Sequence, residues 1–209
     1  AMHAHWWEHS GLAELKWLPR LNDTRRRTNL TTVTRLGWNP LTEILDEGGL
    51  SYPEVSGDSL ANEIDDMLCD LSTSESTLIH SDLRADNLLF NTAGDGVMLV
   101  DWQGCSFGPS SFDITYHMIQ SLSVDDRRKH ESELLDYYVN SLEFFGHQIT
   151  IDEVHKLYRS SILYSLSIAC AVPLINDVEG PRVKELAFSM ASRTLAALED
   201  HDIGFGQRG

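Results

Sequence analysis

His80, Asp82 and Asn87 stand in the order H-x-D-x-x-x-x-N, inside the run His80-Ser81-Asp82-Leu83-Arg84-Ala85-Asp86-Asn87. Fourteen residues past Asn87, Asp101 closes the apolar run Met98-Leu99-Val100 and is followed by Trp102-Gln103. Residues of these types at this spacing suit the movement of a phosphoryl group from ATP to an alcohol. That reaction asks for in-line positioning, a carboxylate to take the hydroxyl proton, and a cation to neutralise the phosphate oxygens. Mg²⁺ prefers oxygen ligands and binds through one or two carboxylates together with substrate phosphates. Asp82, in the middle of a loop, can face a substrate hydroxyl. Asn87 and Asp101 can meet at one metal if a tight hairpin joins them. His80 is expected to brace the loop by hydrogen bonding, and Arg84 to pair with a nearby carboxylate.

The elements that must hold these residues are legible around them. Thr77–His80 and Leu88–Phe90 are short apolar runs, Asn-Thr-Ala-Gly-Asp-Gly at 91–96 is rich in turn formers, and Val97–Val100 reads as a strand ending at Asp101. Upstream, Leu60, Ile64, Met67, Leu68 and Leu71 recur at helical spacing, which predicts an amphipathic helix over 58–71 capped by Asp58 or Ser59. Downstream, a Gly/Pro/Ser loop at 104–111 leads into a helix over Ile114–Leu122. A second helix is striped by Leu134, Leu135, Tyr138, Leu142 and Phe145. A third runs from Ile151 toward Pro173, and a last one from Val183 to Leu198 precedes a glycine-rich tail. Residues 19–35 are polar and basic and read as a loop or short helix. The pattern predicts an α+β, mostly helical domain with a small central β-hairpin.

Composition narrows the function classes. The 209 residues are 42% hydrophobic and 23% charged, values of a globular protein. With 32 acidic against 16 basic side chains the net charge is −16, which argues against nucleic acid as a partner. No run approaches the ~20 apolar residues of a membrane span, so no membrane partner is expected. Between Arg35 and Arg84 there is no Lys or Arg but there are eleven Asp or Glu, which reads as a solvated acidic face. Cys69, Cys105 and Cys170 are too few and too scattered for a disulfide framework or zinc ribbon, and thiols in a reducing cytoplasm are the simplest account.

At the residues of the loop and strand the chain resembles the C-terminal lobe of the aminoglycoside phosphotransferase/choline kinase-like group, which has the protein-kinase-like fold. It is most similar to the ecdysteroid-kinase-like branch, where a Trp-Gln pair also follows the metal-binding Asp. The resemblance implies that Asp82 is the catalytic base and that Asn87 and Asp101 are Mg²⁺ ligands. It further implies that Asp113, in Gly-Pro-Ser-Ser-Phe-Asp, opens a helix and steadies the catalytic loop. The donor would be ATP and the acceptor a small molecule carrying a hydroxyl. Ser81 occupies a place where the family often has Gly. The opening His-Ala-His-Trp-Trp resembles the helix that begins this lobe, so residues 1–209 are expected to form the C-terminal lobe alone.

What such kinases carry in their N-terminal lobe is missing. No glycine-rich nucleotide loop precedes the catalytic loop: Gly48-Gly49 and Gly57 fit no such spacing, and no Lys lies between Lys16 and Lys129. The isolated chain is therefore expected to turn over slowly or not at all, and to self-associate through the edge left by the missing lobe. A non-catalytic binding module or pseudokinase fragment is the alternative reading. A remote alternative is a zinc hydrolase, because His5-Trp-Trp-Glu8-His9 has the H-x-x-E-H spacing of a zinc-peptidase helix, with two histidines on one face and a Glu to activate water.

Overall fold

Apolar spacing of three and four residues runs through most of the chain, and helices form wherever it does. A computed structural model describes residues 1–175 and 180–205; the last four residues of the glycine-rich tail lie outside the described residues. In chain order the elements are α1 (Met2–Trp6), α2 (Ser10–Glu14), α3 (Thr24–Glu47), α4 (Gly57–Leu71), β1 (Thr77–Ile79), β2 (Leu88–Phe90), β3 (Val97–Leu99), β4 (Ser106–Gly108), α5 (Ser111–Ser121), α6 (Val124–Phe144), α7 (Ile151–Ala171) and α8 (Pro181–Asp200). The chain divides into two compact units, one of Ala1–Leu21 with Leu71–Ser161, the other of Asn22–Asp70 with the residues from Ile162 on.

The first unit holds all four strands, in two separate antiparallel pairs. β2 and β3 form the expected hairpin, in the register Leu88↔Leu99 and Phe90↔Val97. The second pair was not expected. β4 lies inside the stretch read as a Gly/Pro/Ser loop, yet it pairs with β1 in the register Thr77↔Gly108 and Ile79↔Ser106. Its three residues are all buried, so pairing with β1 satisfies backbone groups that a buried loop would strand. Phe107 packs there with Leu12 and Leu18. Of the residues proposed to stripe α6, Leu135 and Leu142 are buried, whereas Leu134 and Phe145 are 39% and 49% exposed. The core therefore takes only a seven-residue repeat from that helix. Arg127 of α6 is 2% exposed, a burial made tolerable by its bond to Glu131 at 2.6 Å.

In the second unit residues 19–35 depart from the sequence reading: from Thr24 on they belong to the 24-residue α3. Leu30, Thr34, Gly37, Trp38, Leu41 and Leu45 form a buried stripe at helical spacing, while Leu36 stands exposed among polar side chains. Gly37 is required by packing. A Cβ built there would lie 1.8 Å from the Cys170 carbonyl oxygen, so only glycine admits this approach of α3 to α7. The helix over 58–71 forms as expected with Leu60, Ile64, Met67, Leu68 and Leu71 buried. Its cap is neither Asp58 nor Ser59 but Ser56, whose Oγ accepts the Ser59 N–H at 3.1 Å. Asp58 instead takes Arg35 Nε at 2.6 Å. Residues 151–174 have the length and mean hydropathy of a membrane span, and 61% of that window is buried inside the protein, as in a core helix.

Candidate active site

The loop between β1 and β2 hangs from the start of α5. Asp113, in the first turn of that helix, is fully buried. Its Oδ2 accepts the backbone N–H of His80 and its Oδ1 that of Ser81, each at 2.7 Å. Two N–H groups given to the two oxygens of one carboxylate hold the peptide at one orientation. A third partner comes from α1: His3 Nε2 lies 3.1 Å from Asp113 Oδ2, and His3 Nδ1 lies 3.1 Å from the Tyr138 hydroxyl. Burial raises the Tyr138 pKa and keeps that hydroxyl protonated. The His3 carbonyl also accepts from Thr77 Oγ1 at 2.8 Å, tying α1 to β1.

Ser81 adopts the left-handed conformation, with φ +67°. That is the backbone state glycine enters freely, and it accounts for the glycine common at this place in the family that the sequence resembles. The serine keeps a compensating contact, its Oγ lying 3.0 Å from Ser106 Oγ of β4.

His80 joins the loop to the hairpin. Its Nε2 lies 2.8 Å from the Val100 carbonyl oxygen and its Nδ1 accepts the Asp82 N–H at 3.3 Å. A carbonyl can only accept and an amide can only donate, so this ring carries its proton on Nε2. It packs against Trp102 at 4.7 Å between ring centroids. These contacts tie the His80 ring to the strand end at Val100, to the Asp82 amide and to Trp102.

Asn87 ends a short 3₁₀ turn, Ala85–Asn87. Its Nδ2 donates to the Asp82 carbonyl at 2.8 Å and to Asp82 Oδ2 at 3.1 Å. With the amide nitrogen so used, Oδ1 is left as an acceptor. Val100 N–H donates to the Asn87 carbonyl at 3.0 Å, which sets Asp101 two residues beyond the end of the β2–β3 ladder. Asp101 is exposed and left-handed, φ +64°, and among the described residues nothing pairs with its carboxylate. Arg84 Nε stands 3.7 Å from Asp82 Oδ1 and 3.6 Å from Asp86 Oδ2, ion-pair distances too long for hydrogen bonds. Direct contacts thus join His80, Asp82, Arg84, Asn87 and Asp113 into one network, and Asp101 adjoins it through Val100.

Among the described residues no three His, Cys, Asp or Glu side chains cluster as a ready metal cage. The donors available to a cation here are the Asn87 amide oxygen and the Asp101 carboxylate. That all-oxygen, partly open set fits Mg²⁺, which keeps waters and phosphate oxygens in its shell. Beside the loop lies a cleft of about 440 Å³ lined by Met2, Leu83, Leu99, Tyr137, Tyr138 and Phe145 among others. Leu83 follows Asp82 directly and Leu99 precedes Asp101 by two residues.

The zinc-hydrolase alternative loses its geometry. α1 ends at Trp6, Glu8 has φ +48°, and His9 caps the next helix by accepting the Gly11 N–H at 3.1 Å. The Trp6 ring lies 4.8 Å from His5 and 5.2 Å from His9 between centroids, and the Glu8 carboxylate accepts the Ser76 N–H. The two histidines therefore share no helix face. His3, Tyr138 and Ser106 are the members of the network that sequence reasoning missed. Each is far from the motif along the chain, and none stands in a spacing that signals it.

The sequence model of the ecdysteroid kinase-like family matches residues 54–148. An uncharacterized kinase-like protein of Caenorhabditis elegans is 33% identical over 86 residues, covering 40% of this chain and 23% of that protein. The chain thus spans about a quarter of the length of the curated relative it matches. The segment matched by the family model is the one that holds His80, Asp82, Asn87, Asp101 and Asp113, and over it the chain is similar to the ecdysteroid kinase-like family.

Proposed function

We propose that this chain supplies the C-terminal lobe of a small-molecule kinase of protein-kinase-like fold, transferring the γ-phosphoryl group of ATP to an alcohol. The observation that carries the reading is the Asn87 amide. Its side-chain nitrogen donates to Asp82, leaving the amide oxygen as an acceptor, and the Asn87 backbone carbonyl accepts the N–H of Val100, the residue before Asp101. The candidate base is thereby tied to one candidate metal ligand directly and to the other through the backbone of Val100. Asp82, whose side chain is 32% exposed, accepts the proton of the acceptor hydroxyl as oxygen attacks phosphorus and the bond to the β-phosphate oxygen breaks. Asn87 and Asp101 would hold Mg²⁺, which when bound neutralises phosphate charge. Asp113, His80 and His3 keep the loop from drifting. The cleft beside Leu83 is lined mainly by apolar and aromatic side chains, which suits an alcohol with a bulky apolar body better than a polycation.

The test is ATP consumption by the full-length protein with Mg²⁺ and a panel of apolar alcohols, amino alcohols and aminoglycosides, with phosphate-ester products detected by mass. Asp82→Ala is expected to lower kcat by about 10²–10⁴-fold, the usual worth of a general base, with unchanged circular dichroism. Undiminished transfer by Asp82→Ala removes the base assignment. Absence of transfer to any alcohol returns the chain to the binding-module reading.

A further inference from the structure

Asp113, His117 and Ser121 recur every four residues along α5 and so lie along one side of that helix. Asp113 holds the catalytic loop ahead of Asp82, at the amides of His80 and Ser81. The other two reach the same loop behind Asp82 through Ser121. His117 Nδ1 lies 3.1 Å from Ser121 Oγ. Ser121 Oγ in turn accepts the Ala85 N–H at 2.9 Å.

The order of protons around this ring follows from the amide at the end of this chain of bonds. The Ala85 amide can only donate, so Ser121 is left to donate its own hydrogen to His117 Nδ1. With Nδ1 accepting that hydrogen, the neutral His117 ring carries its proton on Nε2. Burial holds the His117 pKa below its ordinary value, which favours the neutral ring that this order needs, against the opposing pull of the Asp113 charge.

We infer that His117 and Ser121 are positioning residues for Asp82, forming a second clamp that fixes the loop at residue 85. The inference rests on the reading of Asp82 as the base. Without this clamp, the chain between Asp82 and Asn87 is kept by local bonds, Arg84 N–H to the Asp82 carbonyl at 3.0 Å and Asn87 N–H to the Arg84 carbonyl at 2.9 Å. Those bonds preserve the turn and leave it free to shift as a body. A displacement of about 1 Å at a reacting carboxylate lowers a rate on the order of 10²-fold.

The experiment compares Ser121→Ala, Ser121→Thr and His117→Ala with wild type in the full-length protein, reading kcat and KM with ATP and amide hydrogen exchange at Ala85, His80 and Ser81. Ser121→Ala is expected to lower kcat about tenfold or more with KM within about twofold, and to speed exchange at Ala85 alone. His117→Ala is expected to do the same. Ser121→Thr, which keeps the hydroxyl, should restore both readouts. Faster exchange at Ala85 with unchanged kcat overturns the positioning role and leaves the base assignment standing. Unchanged exchange at Ala85 overturns the clamp itself. A wild type that transfers no phosphoryl group overturns the reading of Asp82, and the positioning role falls with it.

Discussion

Asn87 is tied to Asp82 twice, its Nδ2 donating to the backbone carbonyl at 2.8 Å and to the carboxylate at 3.1 Å. The pair orients the candidate base and leaves the Asn87 amide oxygen as an acceptor. Asn87→Ala removes both ties and the proposed metal ligand together. Its rate is expected to fall about 10²-fold, with the Mg²⁺ concentration for half-maximal rate raised. Titration of the rate against Mg²⁺ measures this, and an unshifted midpoint would exclude Asn87 as a ligand.

Asp113 accepts two buried backbone N–H groups and faces His3. Asp113→Ala leaves those donors without a partner in a site closed to water. Unfolding in urea is expected to show a loss of about 3–5 kcal/mol. A loss below about 1 kcal/mol would show that the loop is held elsewhere.

Ser81 sits at φ +67° with its hydroxyl on Ser106. Ser81→Ala loses the hydrogen bond and keeps the unfavourable backbone, so a destabilisation of about 1 kcal/mol is expected. Ser81→Gly loses the same bond but adopts this conformation without strain, and should stay within about 1 kcal/mol of wild type. Thermal melts of the two variants should therefore rank glycine above alanine.

Gly37 lies where a Cβ would meet the Cys170 carbonyl oxygen at 1.8 Å. The obstacle is backbone, which cannot swing aside as a side chain could. Gly37→Ala should cost about 1–3 kcal/mol by overpacking, against the usual helix gain of alanine over glycine. A stabilised variant would mean that α3 and α7 do not approach as described.

Arg27 meets both carboxylate oxygens of Asp65, Nε at 2.7 Å and Nη2 at 2.5 Å, and this hydrogen-bonded pairing lowers the Asp65 pKa. As pH falls, the unfolded chain takes up the proton first, near the ordinary value of about 3.9. The stabilisation is therefore full above about pH 4 and is lost as pH drops through the lower folded value. With about a third of each side chain exposed, it amounts to at most about 1 kcal/mol. Urea melts of wild type and Asp65→Asn should differ at pH 7, with the difference shrinking as the pH falls below about 4.

Local patterns sufficed for much of this protein. The H-x-D-x-x-x-x-N loop, the turn at 91–96 and the strand ending at Asp101 were legible because their signals are short-range: a turn needs its own residues, and a strand its own alternation. The helix of 58–71 declared itself through a buried stripe of one repeat. What only tertiary structure decided depends on partners far along the chain. The polar 19–35 segment becomes helix because a stripe beginning at Leu30 is buried. β4 exists because β1, 27 or more residues away, offers it an edge. His5 and His9 part company because Glu8 turns the chain against Ser76. Asp113 gathers amides from residues 80 and 81 and the His3 ring, contacts that span 32 to 110 positions. Side-chain identity names what a residue can bond. Which donor meets which acceptor is decided when the chain folds, because a buried polar group must find a partner wherever packing has brought one.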